Sequence, residues 1–216
     1  MALSVKVCGV TNRDDAAAVA RAGADFIGFI LAPSPRQVSV DAVRDIMGVL
    51  PAPVEPVLVF RGAPVEEVFA ALDATHCRWI QIHGHESVAY LGRLLAARPH
   101  LRLIRAWEIE TPESGDDLAL YLRQAREAGV RIDVVLLDAP KGGPHPGFER
   151  LGDISHACCA RPPAVWCAGG LTPGNLGTAV PSGHYDGVDV ASGVELRPGA
   201  KDHDAVRRFV ELARRL

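Results

Sequence analysis

What most constrains this chain is an alternation that runs through its whole length. Short apolar runs at residues 5–10, 25–31, 55–60, 79–83, 102–107, 133–138, 164–168 and 187–191 are separated by longer segments in which apolar residues return at helical spacing. A run of four to eight residues rich in Val, Ile and Leu reads as a strand buried on both faces. The intervening segments carry the complementary signal. Val65, Val68, Phe69 and Leu72 fall at i, i+3, i+4 and i+7 behind Pro64, read as a first-turn proline, and Val43, Ile46, Met47 and Leu50 repeat the stripe before Pro51 stops it. Tyr90, Leu91, Leu94 and Leu95, then Leu118, Tyr121, Leu122 and Ala125, do the same, and a last helix over about 202–215 buries Val206, Phe209, Val210 and Ala213. The segments around 148–154 and 172–180 are short and contain glycine, and predict partial helices.

Eight strands, each followed by a helix or its remnant, predict an α/β chain folded as a compact (β/α)8 TIM barrel, one domain over residues 1–216. An open doubly wound sheet is the alternative, but it would normally carry a G-x-G-x-x-G turn after the first strand, and none is present. No Ser/Gly-rich linker divides the chain, and 48% apolar residues suffice for one sizeable core. Composition narrows the function classes. A net charge of −3 with interspersed signs gives no footprint for nucleic acid. No apolar stretch approaches the roughly 18 residues of a membrane span, and the N-terminus lacks a basic-then-apolar leader, so the expectation is a soluble, cytoplasmic protein with no membrane partner. Cys8, Cys77, Cys158, Cys159 and Cys167 show no metal-like spacing and no disulfide framework, so the expectation is reduced thiols and no metal site. Arg207, Arg208, Arg214 and Arg215 read as the solvated face and last turn of the final helix.

In such a barrel chemistry belongs at the carboxyl ends of the strands. Cys8 ends the first run just before Gly9, Thr11 and Asn12 signal a capped, acid-rich helix start. It reads either as a buried small hydrophobe or as an acid-base group. Lys6 points to the same side of the strand; it could favour the Cys8 thiolate by its field, the reading preferred here, or lie in the barrel interior as a paired structural charge. Asp138 closes Val134-Val135-Leu136-Leu137, where partial desolvation would raise its pKa, so it is a candidate general acid or else a carboxylate capping a loop amide. Arg36 lies in the loop after the second run, Gln81 and His83 end the fourth, and Asp189 ends the eighth. Gly169 and Gly170 after strand seven, and Ser192 and Gly193 after strand eight, offer unobstructed amides of the kind that hold phosphate, or form ordinary turns.

The segments K-V-C-G-V-T, G-A-D-F-I-G-F-I, S-P-R-Q-V, V-L-V-F, I-Q-I-H-G-H-E, L-L-D-A, A-G-G-L-T-P-G-N and G-V-D-V-A-S-G-V-E-L-R-P-G-A-K-D, in that order, resemble the motifs of the phosphoribosylanthranilate isomerase family over almost the whole chain. The resemblance implies a tryptophan-pathway enzyme that performs the Amadori rearrangement of N-(5-phosphoribosyl)anthranilate to 1-(2-carboxyphenylamino)-1-deoxyribulose 5-phosphate. It implies Cys8 as general base, Asp138 as general acid and Arg36 as a contact to the anthranilate or sugar. Gln81 and His83 would line the pocket, Asp189 would be a further polar contact, and Gly169, Gly170, Ser192 and Gly193 would form the phosphate loops. The substrate would be a small phosphosugar, no cofactor would be needed, and the enzyme would be a monomer or homodimer. The alternatives are a related phosphosugar barrel isomerase or a barrel repurposed for a specialised anthranilate pathway; a histidine-pathway isomerase would want Asp in place of Cys8. Two loops depart from the family pattern: Phe60-Arg61-Gly62 adds a cation near the mouth, and Lys141-Gly142-Gly143-Pro144-His145-Pro146-Gly147 places two prolines where the family has a flexible loop.

Overall fold

The computed structural model describes residues 2–109, 111, 113–139, 162–180 and 185–216. Parallel strands β1 (Ser4–Cys8), β2 (Phe26–Ile30), β3 (Glu55–Phe60), β4 (Trp79–Ile82), β5 (Arg102–Glu108), β6 (Val134–Asp138), β7 (Ala164–Ala168) and β8 (Gly187–Val190) pair in chain order, and β8 pairs back onto β1. The sheet therefore closes, which excludes the open doubly wound alternative. Seven α-helices fall among the described residues: α1 (Arg13–Arg21), α2 (Val40–Met47), α3 (Val65–Thr75), α4 (Val88–Ala97), α5 (Glu113–Glu127), α6 (Leu176–Ala179) and α7 (His203–Ala213). None of them is long and apolar enough to cross a membrane. The partial helix expected at 148–154, the proline-bearing loop at 141–147, Cys158 and Cys159 lie outside the described residues.

Strand parity splits the apolar side chains into two sets. Val5, Val7, Ile27, Phe29, Leu58, Ile80, Ile82, Leu103, Val135 and Val188 face outward and pack under Val43, Val68, Leu91, Leu94, Leu118, Val206 and Phe209 of the helices. Each such fully buried side chain contributes about 1.5–3 kcal/mol. Val57, Ile104, Ala106, Val134, Leu136, Trp166 and Ala168 form a second set, with Phe26 and Trp79 packed against it. The Phe26 ring sits 5.1 Å from that of Trp79 and 4.9 Å from that of Trp166, so aromatic contacts fill the interior near the strands' amino-terminal end.

Polar side chains set four of the helix starts, the first of them the capped start expected near Asn12. Asn12, Ser39, Ser87 and Asp202 each accept a backbone N–H of the first turn. Pro64 stands at the cap position of α3 rather than in its first turn. The first strand ends at Cys8, two residues earlier than its apolar run, because Gly9 takes φ +74° and turns the chain out of the sheet. Two features differ from expectation. Arg214 is not simply solvated: it donates to the carbonyls of Leu3 and Gly23 and pairs with Asp25, tying the end of α7 to the start of the barrel. After β8 a 3₁₀ turn (Ser192–Val194) leads into an antiparallel hairpin, β9 (Glu195–Arg197) and β10 (Ala200–Lys201), which the spacing of apolar runs did not announce.

Asp15 joins this hairpin to the helices. Its buried carboxylate accepts from Asn12 Nδ2 at 2.8 Å and from the Lys201 amide at 2.9 Å, and lies 2.8 Å from His203 Nε2. Asp15→Ala would leave the buried Lys201 N–H without its acceptor, and the expected cost is about 2–3 kcal/mol. Urea unfolding should show a lower midpoint with an unchanged m value.

Candidate active site

β1 presents Lys6 and then Cys8 to the barrel interior, and the space they occupy is provided by β2. Cys8 pairs with Gly28, where a Cβ would come within 2.7 Å of the Cys8 Sγ and 3.1 Å of the Lys6 Nζ. Lys6 is fully buried and its ammonium donates to Asp189 Oδ2 at 2.8 Å across the β1–β8 seam. Burial works against the Lys6 charge, but Asp189 and Cys8 outweigh it and push its pKa up; for Asp189 burial prevails and pushes the carboxyl up. Burial also pushes the Cys8 thiol up; Lys6 and Lys201 pull it down, Asp189 adds to the rise, and the balance lies above the ordinary thiol range. The expected field of Lys6 on Cys8 is thus present, and Lys6 is at the same time the paired interior charge of the alternative reading. Its charge and hydrogen bond favour the thiolate, while the ammonium is shared with Asp189 and desolvation works against the thiolate.

Across the mouth, Asp138 ends β6 with its side chain 28% exposed, 3.2 Å from His83 Nε2. Gln81, buried in β4, has its Nε2 3.1 Å from His83 Nδ1. With that amide donating, Nδ1 accepts and the ring proton resides on Nε2, the nitrogen that faces Asp138. Among the described residues Asp138 is therefore approached by a side chain two strands away. Glu108 lies 3.9 Å from His83 Nε2 and 3.5 Å from Arg61, so the unusual cation after β3 reaches this cluster through a carboxylate. Gln81 Oε1 and Asp189 Oδ1 are buried with no hydrogen-bond partner among the described residues. Two acceptors inside one barrel are thus left open to donors from a ligand.

The late loops are interlocked. Gly169 and Gly170 both have positive φ, 92° and 61°, and Asn175 ties the turn by donating to the Gly170 carbonyl at 3.0 Å. Gly193 packs against the preceding loop so closely that a Cβ would fall 1.8 Å from the Leu171 carbonyl oxygen. Gly193 thus stands against the segment that follows the Gly169-Gly170 turn, so the two loops adjoin.

A family model described as N-(5'phosphoribosyl)anthranilate (PRA) isomerase matches residues 5–212. The chain belongs to this family. The curated N-(5'-phosphoribosyl)anthranilate isomerase of Geobacter sp. (strain M21) is 37% identical over 214 residues, covering 98% of each chain, and that of Citrifermentans bemidjiense is 36% identical over 98% of this chain and 97% of its own. Among solved structures, phosphoribosyl anthranilate isomerase from Thermotoga maritima superposes with a TM-score of 0.84 at 29% identity, covering 99% of this chain and 100% of that one. A phosphoribosyl anthranilate isomerase in complex with reduced 1-(o-carboxyphenylamino)-1-deoxyribulose 5-phosphate gives 0.82 at 28% over the same shares.

Within this member of the phosphoribosylanthranilate isomerase family, two charged residues escaped the sequence reading although they lie in a quoted motif. Glu195 holds Arg36, the expected contact to the anthranilate or sugar: the Arg36 Nε donates to Oε1 at 2.9 Å and its Nη2 to Oε2 at 2.7 Å. Lys201 donates to the Cys8 carbonyl at 2.6 Å, to the Ala191 carbonyl at 3.2 Å and to Glu195 Oε1 at 2.9 Å. The available signal was the pair of charges, Glu195 and Lys201, bracketing a Pro-Gly turn. Iodoacetamide labelling of Cys8, followed by peptide mass spectrometry on the ligand-free protein, should be slow at pH 7 and accelerate at alkaline pH, because only the thiolate is alkylated and its pKa is raised. Fast labelling at pH 6–7 would show that the cations prevail over burial.

Proposed function

We propose that this chain converts N-(5'-phosphoribosyl)anthranilate to 1-(2-carboxyphenylamino)-1-deoxyribulose 5-phosphate, with Asp138 as acid and Cys8 as base. The observation that carries the assignment is the placement of one carboxyl and one thiol on opposite sides of a single barrel mouth, at the ends of β6 and β1. Asp138 gives its proton to the furanose ring oxygen as the bond from C1′ to that oxygen breaks, and the substrate's amine lone pair forms the iminium. The Cys8 thiolate takes the C2′ proton, and the electron pair left behind forms the C1′–C2′ double bond while neutralising the iminium. The resulting enolamine becomes the ketone by moving its hydroxyl proton to C1′. The substrate nitrogen serves as electron sink, so the chemistry asks the protein only for positioned acid and base.

The remaining groups divide the substrate between them. Gln81 Oε1 and Asp189 Oδ1, the two open acceptors, suit the sugar hydroxyls. His83 orients the acid, Arg36 receives the anthranilate carboxylate, and the amides of Gly169, Gly170, Ser192 and Gly193 hold the phosphate. This reading places the chain in tryptophan biosynthesis in the cytoplasm. Cys8 stands where a histidine-pathway isomerase would need a carboxylate, which favours the anthranilate substrate over the related phosphosugar.

Loss of fluorescence from enzymatically generated phosphoribosylanthranilate is the direct assay. Cys8→Ala and Asp138→Asn should each lower kcat by at least about 10²-fold with little change in thermal midpoint. Wild-type turnover in either variant would remove that residue from the reaction. Gly193→Val cannot keep the loop where it is, since even a Cβ would overlap the Leu171 carbonyl. It should raise KM and abolish the thermal stabilisation that inorganic phosphate gives the parent protein; equal phosphate shifts in both proteins would move the anion site elsewhere.

A further inference from the structure

We infer that Glu195 is a positioning residue for the isomerisation, one buried carboxylate that holds Arg36 toward the substrate and Lys201 against the strand end bearing Cys8. The inference rests on Cys8 being the base and Arg36 the carboxylate contact. Glu195 opens the hairpin after β8, and its side chain is only 3% exposed. A carboxylate so enclosed is tolerated where cations and hydrogen bonds answer it. Both of its oxygens are answered, by Arg36 on one side and Lys201 on the other.

The geometry assigns the two cations different tasks. Glu195 takes the side edge of the Arg36 guanidinium, formed by Nε and Nη2, and this fixes the plane of the fork. The end edge, formed by Nη1 and the second Nη2 proton, is the one left to meet a planar ligand carboxylate. Lys201 is different. Its three N–H groups go to Cys8 O, Ala191 O and Glu195 Oε1, so it has no donor for a ligand and acts through its charge and its grip on the ends of β1 and β8.

The charges facing Cys8 are Lys6 on its own strand, Asp189 on β8, Lys201 on β10 and Arg36 from the loop after β2; Asp138 and His83 lie across the mouth and act on Asp189. Burial presses Lys201 toward its neutral form, and Glu195 opposes that pressure. Burial likewise works against the Glu195 charge, yet hydrogen bonds from Arg36 and Lys201 hold its carboxyl below the usual range. Removing the Glu195 charge therefore has two effects of opposite sign on the thiol. Loss of a nearby anion alone would ease thiolate formation. Loss of the clasp would release Arg36 and let Lys201 shed its proton, which makes the thiolate harder to form. A positioning role requires the second effect to prevail.

The test is Glu195→Gln in the full chain, read by the pH profile of kcat/KM and by the pH dependence of iodoacetamide labelling at Cys8. The expected result is a KM raised roughly tenfold or more, with the rise of kcat/KM and the labelling curve both displaced upward by about one pH unit. A downward displacement would show that Glu195 merely neutralises the cations and would overturn the inference. So would an unmoved profile with only the thermal midpoint reduced, the mark of a purely structural contact. Should the Gln variant not fold, Glu195→Asp keeps the charge but shortens its reach, and the same directions apply to it. Labelling needs no substrate, so an upward labelling shift combined with full turnover in Cys8→Ala would overturn the base assignment separately and withdraw the catalytic role of Glu195 with it.

Discussion

The site depends on an ion pair at the seam where the barrel closes. Lys6 on β1 and Asp189 on β8 are register partners in the last strand pairing, and their side chains meet at 2.8 Å with essentially no water. Eight parallel strands can close with apolar residues throughout, so the pair is not what makes a barrel. It places a permanent charge directly beneath a thiol, in a space that Gly28 leaves open. Buried pairs of this kind contribute little net stability, and breaking one by removing a single partner is costly. What the pair provides here is a fixed field beneath Cys8 and an acceptor, Asp189 Oδ1, with no hydrogen-bond partner among the described residues.

Much of this was readable from the chain because the relevant signals are local. Apolar runs, their spacing and the capped start at Asn12 each report on a few consecutive residues, and tertiary packing agrees with them. Cys8, Gln81, His83 and Asp138 were found as strand-end polar residues, a position that the topology alone makes meaningful. What escaped was pairing across the sequence. Lys6 and Asp189 are separated by 183 residues, Arg36 and Glu195 by 159, and Lys201 and the Cys8 carbonyl by 193. No periodicity links such positions, so nothing local to Arg36 points to Glu195, and Glu195 and Lys201 carry no role in the sequence. The burial that opposes the Lys6 field at Cys8 is hidden for a related reason: the sequence shows which charges are near but not how completely water is removed from around them.

The proposed acid and base sides of the mouth are built on contrasting terms. Asp138 remains partly solvated and is steered by a relay of neutral and charged polar groups, Gln81 through His83, with Glu108 and Arg61 at the rim. Cys8 is enclosed, and every group that influences it is itself nearly or fully buried apart from Arg36. Electrostatic effects are therefore screened on one side and strong on the other. Added salt should be felt mainly by the outer cluster, and changes of buried charge mainly by the thiol.

Because Gly28 lends its volume to the thiol and to the Lys6 ammonium, positions 6, 8 and 28 form one unit of variation. A directed-evolution library that randomises residue 8 alone inherits a slot sized for sulfur and a counter-charge placed for it. Variants that recruit a carboxylate or an imidazole as the base are to be sought in combined substitutions at these three positions, where cavity shape and charge can be redrawn together.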